Sequence, residues 1–360
     1  MNEGMAQVLK VYVVVVSACI AGGATLLGCK SSTRDKLPWS CPVRGGRIAK
    51  DVWRYGAQFP VRWVEPATRN VFETDLQSVK PRLLGPLRTF QSTAWDDLAW
   101  YRMACPSSVD CFNPDARSAF GALERVDRAT GKSTVLAADT SSVGDPLVLD
   151  GYVYWALADD ESKDRSVYRV GEAGGGVERF DTPAGNDQVR RLVGYSQRGV
   201  LVERQAAVDW LPLSGDSPRT LLQSAVVGAA SLDDNEVYVA DLGRLRPDDR
   251  EPFRGRIVRV ALHGGEIREL ATGLDKPVVI AIHGDRVFYM LYKSGDIWSV
   301  SKAGEDPPRR ALAGAAYAPS EQSLELWAHP CGLVWVHGDG RYPLENAIEF
   351  APWASLEWRR

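Results

Sequence analysis

Histidine is scarce in this chain: of 360 residues, only His263, His283, His329 and His337 are histidines. Neither a His-Glu-x-x-His nor a Gly-x-Ser-x-Gly occurs, so two common hydrolase signatures are missing. No Cys-x-x-Cys pair is present, which argues against a zinc site. Positive charge is not gathered anywhere. Forty-three Lys and Arg against 46 Asp and Glu leave a net charge of −3, with both signs mixed along the chain. Without a basic stripe, nucleic acid is not an expected partner. Acidic clusters occur at Asp159-Asp160-Glu161 with Asp164, at Asp233-Asp234, and at Asp248-Asp249 with Glu251. None has the spacing of an EF-hand calcium loop, so they read as solvated loops.

What is there begins with an export signal. Lys10 precedes an apolar run from Val11 to Leu27, broken by Ser17, Gly22, Gly23 and Thr25 and ending in Leu26-Leu27-Gly28-Cys29. A membrane span needs about 20 strongly apolar residues; the breaks, and the small residue before a cysteine, favour a cleaved segment instead. The ending resembles the lipobox of bacterial lipoproteins. That resemblance implies cleavage before Cys29, lipidation of Cys29 and, with Lys30 following, an outer-membrane lipoprotein of the bacterial cell envelope. More than one acyl chain makes a stable anchor. The expected organisation is a signal peptide over 1–28, a lipidated tether over 29–44 and a β domain over 45–360. In an exported chain the remaining Cys41, Cys105, Cys111 and Cys331 are disulfide candidates. Cys105 and Cys111 share one loop, while Cys41 and Cys331 lie near opposite ends of the chain; free buried thiols are the alternative.

The β domain is built on a repeat, clearest from Pro146 to Phe180. There Pro146-Leu147-Val148-Leu149, Tyr152 to Leu157, Ser166 to Val170 and Val177 to Phe180 read as four short strands separated by three turns. The outer hairpin of this unit recurs from Val71, Leu123, Val167, Val208, Ile257 and Ile297, at steps of 40 to 52 residues. The strand before it recurs seven times, as Val61-Arg62-Trp63-Val64, Leu98-Ala99-Trp100-Tyr101, Val153-Tyr154-Trp155-Ala156, Val200-Leu201-Val202-Glu203, Val237-Tyr238-Val239-Ala240, Val287-Phe288-Tyr289-Met290 and Leu333-Val334-Trp335-Val336. Most are apolar on both faces and so should be buried on both. Central strands of radially packed sheets meet that condition; a sandwich or an up-and-down barrel predicts one-sided alternation. The expected fold is an all-β β-propeller of four-stranded blades, seven in preference to six. Residues 45–60 and 340–360 should combine into one composite blade that leaves no open edge. Each blade adds an interface, so no single core has to grow with chain length.

Asp150-Gly151-Tyr152-Val153-Tyr154-Trp155 resembles the repeat of the Tyr-Trp-Thr-Asp propellers of receptor ectodomains, and the domain resembles TolB-like six- to seven-bladed propellers. Only Tyr154-Trp155 matches the former; Ala156-Leu157 stand where that family has Thr-Asp. The resemblance implies architecture, not receptor function. Asp127 to Lys132 resembles a turn of quinoprotein propellers, but Ser133-Thr134-Val135 follows where those have a tryptophan. It reads as an ordinary hairpin turn with Gly131 at positive φ.

In propellers the inner strand of each blade lines a central channel, and the loops before the inner strand and after the second strand share one face. The long insertions at 103–120, 157–166 and 240–256 follow second strands and should project from that face. Asp145, Asp187, Arg190, Lys276 and Gln322 enter predicted inner strands and are candidates to ring its mouth. Trp95 and Trp327 are candidates to reach the channel, whereas Trp63, Trp100, Trp155 and Trp335 should pack between blades. His263 and His283 sit beside glycines and are expected as exposed turn residues. The expected function is a monomeric, lipid-anchored scaffold that binds an envelope protein or glycan without catalysis or cofactor. The alternative is a calcium-dependent hydrolase resembling lactonase and gluconolactonase propellers. That likeness implies channel Glu, Asn and Asp ligands, and only Asn186 precedes a predicted inner strand. A β-barrel assembly accessory or a TolB-like partner of envelope machinery is a third reading.

Overall fold

The computed structural model describes residues 46–55, 61–65, 70–74, 82–86, 93–95, 98–104, 121–127, 129–140, 146–157, 166–181, 189–204, 207–223, 226–233, 235–243, 254–315, 324–338 and 346–357. The chain opens with β1 (Gly46–Tyr55), β2 (Val61–Glu65), β3 (Asn70–Thr74) and β4 (Arg82–Pro86). Five separate four-stranded antiparallel sheets follow in chain order. They are β5 (Thr93–Trp95), β6 (Ala99–Ala104), β7 (Gly121–Asp127) and β8 (Ser133–Thr140); then β9 (Leu147–Leu149), β10 (Tyr152–Ala156), β11 (Val167–Gly171) and β12 (Glu178–Arg179). Next come β13 (Val189–Ser196), β14 (Gly199–Arg204), β15 (Ala207–Pro212) and β16 (Arg219–Gln223). β17 (Val227–Asp233), β18 (Glu236–Asp241), β19 (Gly255–Ala261) and β20 (Arg268–Leu274) precede β21 (Pro277–His283), β22 (Arg286–Leu291), β23 (Ile297–Ser301) and β24 (Arg309–Leu312). The chain closes with β25 (Glu325–His329), β26 (Gly332–Gly338) and β27 (Asn346–Pro352).

The chain ends meet through β1. Gly46 and Arg47 pair with Phe350 and Glu349 of β27. Further along the same strand, Trp53, Arg54 and Tyr55 pair with Val64, Trp63 and Arg62 of β2. The two groups therefore form one sheet of seven strands, in the order β25-β26-β27-β1-β2-β3-β4. The register shifts twice between Arg47 and Val52, which is how one strand leaves one partner and joins the next. This is the composite of residues 45–60 with 340–360 that the sequence leads one to expect, and it covers the edges that separate first and last groups would expose.

The arrangement is radial. The inner strands β5, β9, β13, β17, β21 and β25 approach one another in succession. The core lies between sheets, in clusters that each bridge neighbours. Tyr101, Met103 and Leu123 pack with Val153, Trp155 and Val170. Tyr154 and Val167 pack with Val200, Val202 and Leu211. Leu201 and Trp210 meet Val237 and Val258, Tyr238 and Ile257 meet Val287 and Tyr289, and Phe288 and Met290 meet Leu326 and Trp335. Burying one such side chain contributes roughly 1.5–3 kcal/mol. These sheets make the chain an all-β propeller.

Local chemistry accounts for the turns. Asp150 (φ 51°) and Gly151 (φ 78°) turn β9 into β10 in the left-handed conformations that a two-residue hairpin demands. At Asp127–Lys132 the Asp127 carboxylate accepts the Thr130 N–H (2.8 Å) and hydroxyl (2.8 Å), and Gly131 sits at φ 69°. It is the ordinary hairpin turn expected.

Two expectations about strand starts and turns need correction. Leu98 does not begin a strand: β6 starts at Ala99, and Leu98 stands 70% exposed in the preceding turn. His283 is not an exposed turn residue like His263. It ends β21 with its ring stacked on Trp353 (centroids 4.0 Å apart, 13° between planes), because the chain end folds back beneath it. The Trp353 indole N–H in turn donates to the His329 carbonyl at 2.9 Å. Beside it, Cys331 is 3% exposed. Cys29, Cys41, Cys105, Cys111 and Asn186 lie outside the described residues, as does most of each long insertion. Among the described residues, no helix is long and apolar enough to cross a membrane.

Candidate functional site

Where β13, β17, β21 and β25 face one another they border a space of about 660 Å³. Many of its lining side chains also belong to the clusters between sheets: Ala230 with Leu201 and Val237, Ile280 with Tyr238 and Tyr289, and Ala281, Leu324 and Leu326 with Phe288 and Trp335. The lining residues outside those clusters are Tyr195, Ser231, Asp233, Glu325 and Trp327. Two carboxylates, an indole, a phenol and a hydroxyl therefore furnish the polar and aromatic part of the wall. Such a surface can stack on a flat or ring-shaped face and exchange hydrogen bonds with its edge.

Trp327, half-buried in β25, borders this space. Asp233 is a correction. It is not part of a solvated loop but ends β17, half-buried, and is bridged by the Lys302 ammonium. Tyr195, Ser231 and Glu325 were not singled out from sequence. The signal was present: Ser231 and Asp233, and likewise Glu325 and Trp327, are two apart on one strand and so share a face.

Lys276 immediately precedes β21, in a left-handed conformation (φ 56°). Its carbonyl accepts the Tyr292 N–H at 3.0 Å, and its ammonium lies 4.4 Å from the centroid of the Tyr292 ring. Burial holds this amine below the usual lysine range, with Asp275 opposing the shift. The backbone of Arg190 lies in β13 and that of Trp95 in β5. Asp145, Asp187 and Gln322 lie outside the described residues. Of this set, Trp327 lines the space. Trp155 and Trp335 pack between sheets as expected.

A buried ion triad lies elsewhere. Arg204, at the end of β14, is 4% exposed; it bonds Asp181 of the preceding unit at 2.7 Å and also Asp209 of β15. Asp181 is fully buried and Asp209 7% exposed. Burial alone would lower the Arg204 pKa, but the two carboxylates outweigh it and hold the guanidinium above its ordinary value. This triad ties the segment after β12 to the sheet of β14 and β15, and none of its members lines the channel wall. The Tyr238 phenol is pushed up to about 12, by burial first and by Glu236 second.

Among the described residues, no group of three or more His, Cys, Asp or Glu side chains is placed to hold a metal. Calcium takes six to eight oxygens, and the described wall supplies two carboxylates, Asp233 and Glu325.

No family model matches this sequence, and no curated protein does. Solved structures resemble it in fold. An oligogalacturonate lyase in complex with manganese superposes with a TM-score of 0.52 at 12% identity, covering 71% of this chain and 77% of that one. BamB from Moraxella catarrhalis gives 0.48 at 15% identity, covering 83% and 85%. TolB from Acinetobacter baumannii gives 0.43 at 14%, covering 71% and 61%. At these identities the likeness is one of fold: the chain is similar to these proteins as an all-β propeller.

Proposed function

We propose that this chain is a lipid-anchored propeller of the bacterial envelope that acts as a scaffold binding a protein or glycan, without catalysis of its own. The observation that carries the reading is the channel wall. Tyr195, Ser231, Glu325 and Trp327 combine aromatic faces with hydrogen-bonding groups, a chemistry suited to holding a polar ring or an extended side chain. The wall carries no cationic side chain among its described residues, so it is ill matched to a polyanion. The likeness to a lyase named for oligogalacturonate is one of fold. We take seven as the blade count, with β1 shared between the first and last, and Cys41 as the partner of Cys331. The Leu26-Leu27-Gly28-Cys29 ending supports the anchor.

A photo-crosslinking amino acid at Trp327, introduced into the full chain in its native envelope, tests the binding site. A discrete crosslinked product is expected there and not at the outward-facing Val135, which is 55% exposed on β8. Equal products from both positions, or none from Trp327, would contradict a channel site. Cys29→Ala should release the chain from membranes; unchanged retention would sink the lipid anchor.

A further inference from the structure

A second concavity lies away from the channel, on the face made by the short turns. It occupies about 420 Å³ and is lined by the β13–β14 turn, the β15–β16 turn and the turn after β19. Trp210, Pro212, Leu213 and Leu262 give it an apolar floor. Trp210 and Leu262 are also members of the cluster joining these two units, so the floor is fixed by the core. Gly199 makes room for the indole. A Cβ there would lie 2.5 Å from Trp210 Cζ2 and 2.5 Å from the Leu211 carbonyl oxygen.

The rim is positively biased. Arg198 and Arg219 are exposed around the floor, beside His263, against the single carboxylate of Asp216. Asp216 accepts the Ser214 hydroxyl at 2.8 Å, which directs it within its own turn. Arg198 is oriented by a hydrogen bond to Asn235 of the neighbouring unit, and its carbonyl accepts the Leu213 N–H at 2.9 Å. Arg219 opens β16 directly across from Trp210 and makes no ion pair among the described residues. A flat apolar floor beneath guanidinium groups matches one kind of guest: an organic anion whose body is apolar and whose carboxylate meets the rim.

We propose that this cleft binds small carboxylates with an aromatic or aliphatic body. The site is separate from the channel and does not depend on the scaffold reading above. The test uses phenylacetate and its neutral isostere phenylacetamide as probes of the whole mature chain, by saturation-transfer NMR and titration. Phenylacetate should bind at millimolar concentration, and phenylacetamide about tenfold more weakly, since a charge-assisted contact is lost. Arg219→Glu and Arg219→Gln should both weaken phenylacetate about tenfold, while Arg219→Lys should retain much of the affinity. Arg219 is exposed, so the variants should melt like the parent. Equal affinity for the two probes, undiminished binding in both Arg219→Glu and Arg219→Gln, or no saturation transfer from phenylacetate would each overturn the proposal.

Discussion

The units β13–β16 and β21–β24 share one topology and fill equivalent positions with opposite chemistry. In the first, Arg204 ends the second strand and meets Asp209 of the third. The register places Leu291 and Trp298 at the same two positions of the second unit, and both pack against the apolar cluster of Tyr238 and Tyr289. At the other end of the second strand, Gly199 lies under Trp210 in one unit. In the other, Arg286 donates to the Ser299 carbonyl at 3.4 Å. The tryptophans Trp210 and Trp298 are one position out of step, so they lie on opposite faces of their sheets. The fold conserves strand pairing and burial, while each slot takes whatever its neighbour can satisfy. The ion triad persists because Asp181 reaches Arg204 from the preceding unit.

The sharpest way to break this comparison is to remove Arg204. Arg204→Met leaves Asp181 and Asp209 buried without their cation and should cost about 3–5 kcal/mol in urea unfolding. Adding Asp181→Leu and Asp209→Leu makes the first unit resemble the second and should restore most of that loss. A triple variant no more stable than Arg204→Met would show the slots are not interchangeable. Phe288→Ala, at a fully buried side chain of the apolar unit, should cost about 3–5 kcal/mol through the cavity it leaves.

Gly332→Ala comes next. Its Cβ would lie 2.1 Å from the Ala351 carbonyl oxygen, so we expect a loss of about 1–3 kcal/mol. Gly176→Ala, where nothing lies within 4 Å, should leave the melting temperature unchanged. Breaking the Arg102–Glu124 bridge, a 2.8 Å pair with both side chains 18% exposed, should cost only about 0.2–1 kcal/mol.

The smallest effect is at Asp127, whose pKa is lowered, first by the Thr130 hydroxyl and then by the Thr130 N–H. A depressed carboxyl stabilises the folded state above its unfolded pKa of 3.8 and loses that contribution as pH falls through the lower folded value. An NMR titration should place Asp127 below the ordinary aspartate range in the parent and closer to it in Thr130→Ala. An unshifted carboxyl would remove the account of this turn.

The seven second strands were legible because being apolar on both faces is a demand that few other settings make. Gly131 and the Asp150-Gly151 pair were legible because hairpin backbones need such residues. The channel wall was not. β17 reads Val-Gly-Ala-Ala-Ser-Leu-Asp, in which small residues blur the alternation and hide which face turns inward. The Arg204 triad was hidden for a different reason. Its carboxylate partner Asp181 lies 23 residues away, in the segment that follows β12. Stacking of His283 on Trp353 depends on a chain end that returns 70 residues later, which no local pattern announces.

The most direct test of the central claim, binding without catalysis, is the calcium content of the purified mature chain after dialysis, measured by elemental mass spectrometry. The account predicts no stoichiometric calcium. One tightly held calcium per chain, lost together with lactone or phosphoester hydrolysis on chelation, would contradict it and establish the channel as a metal-dependent active site.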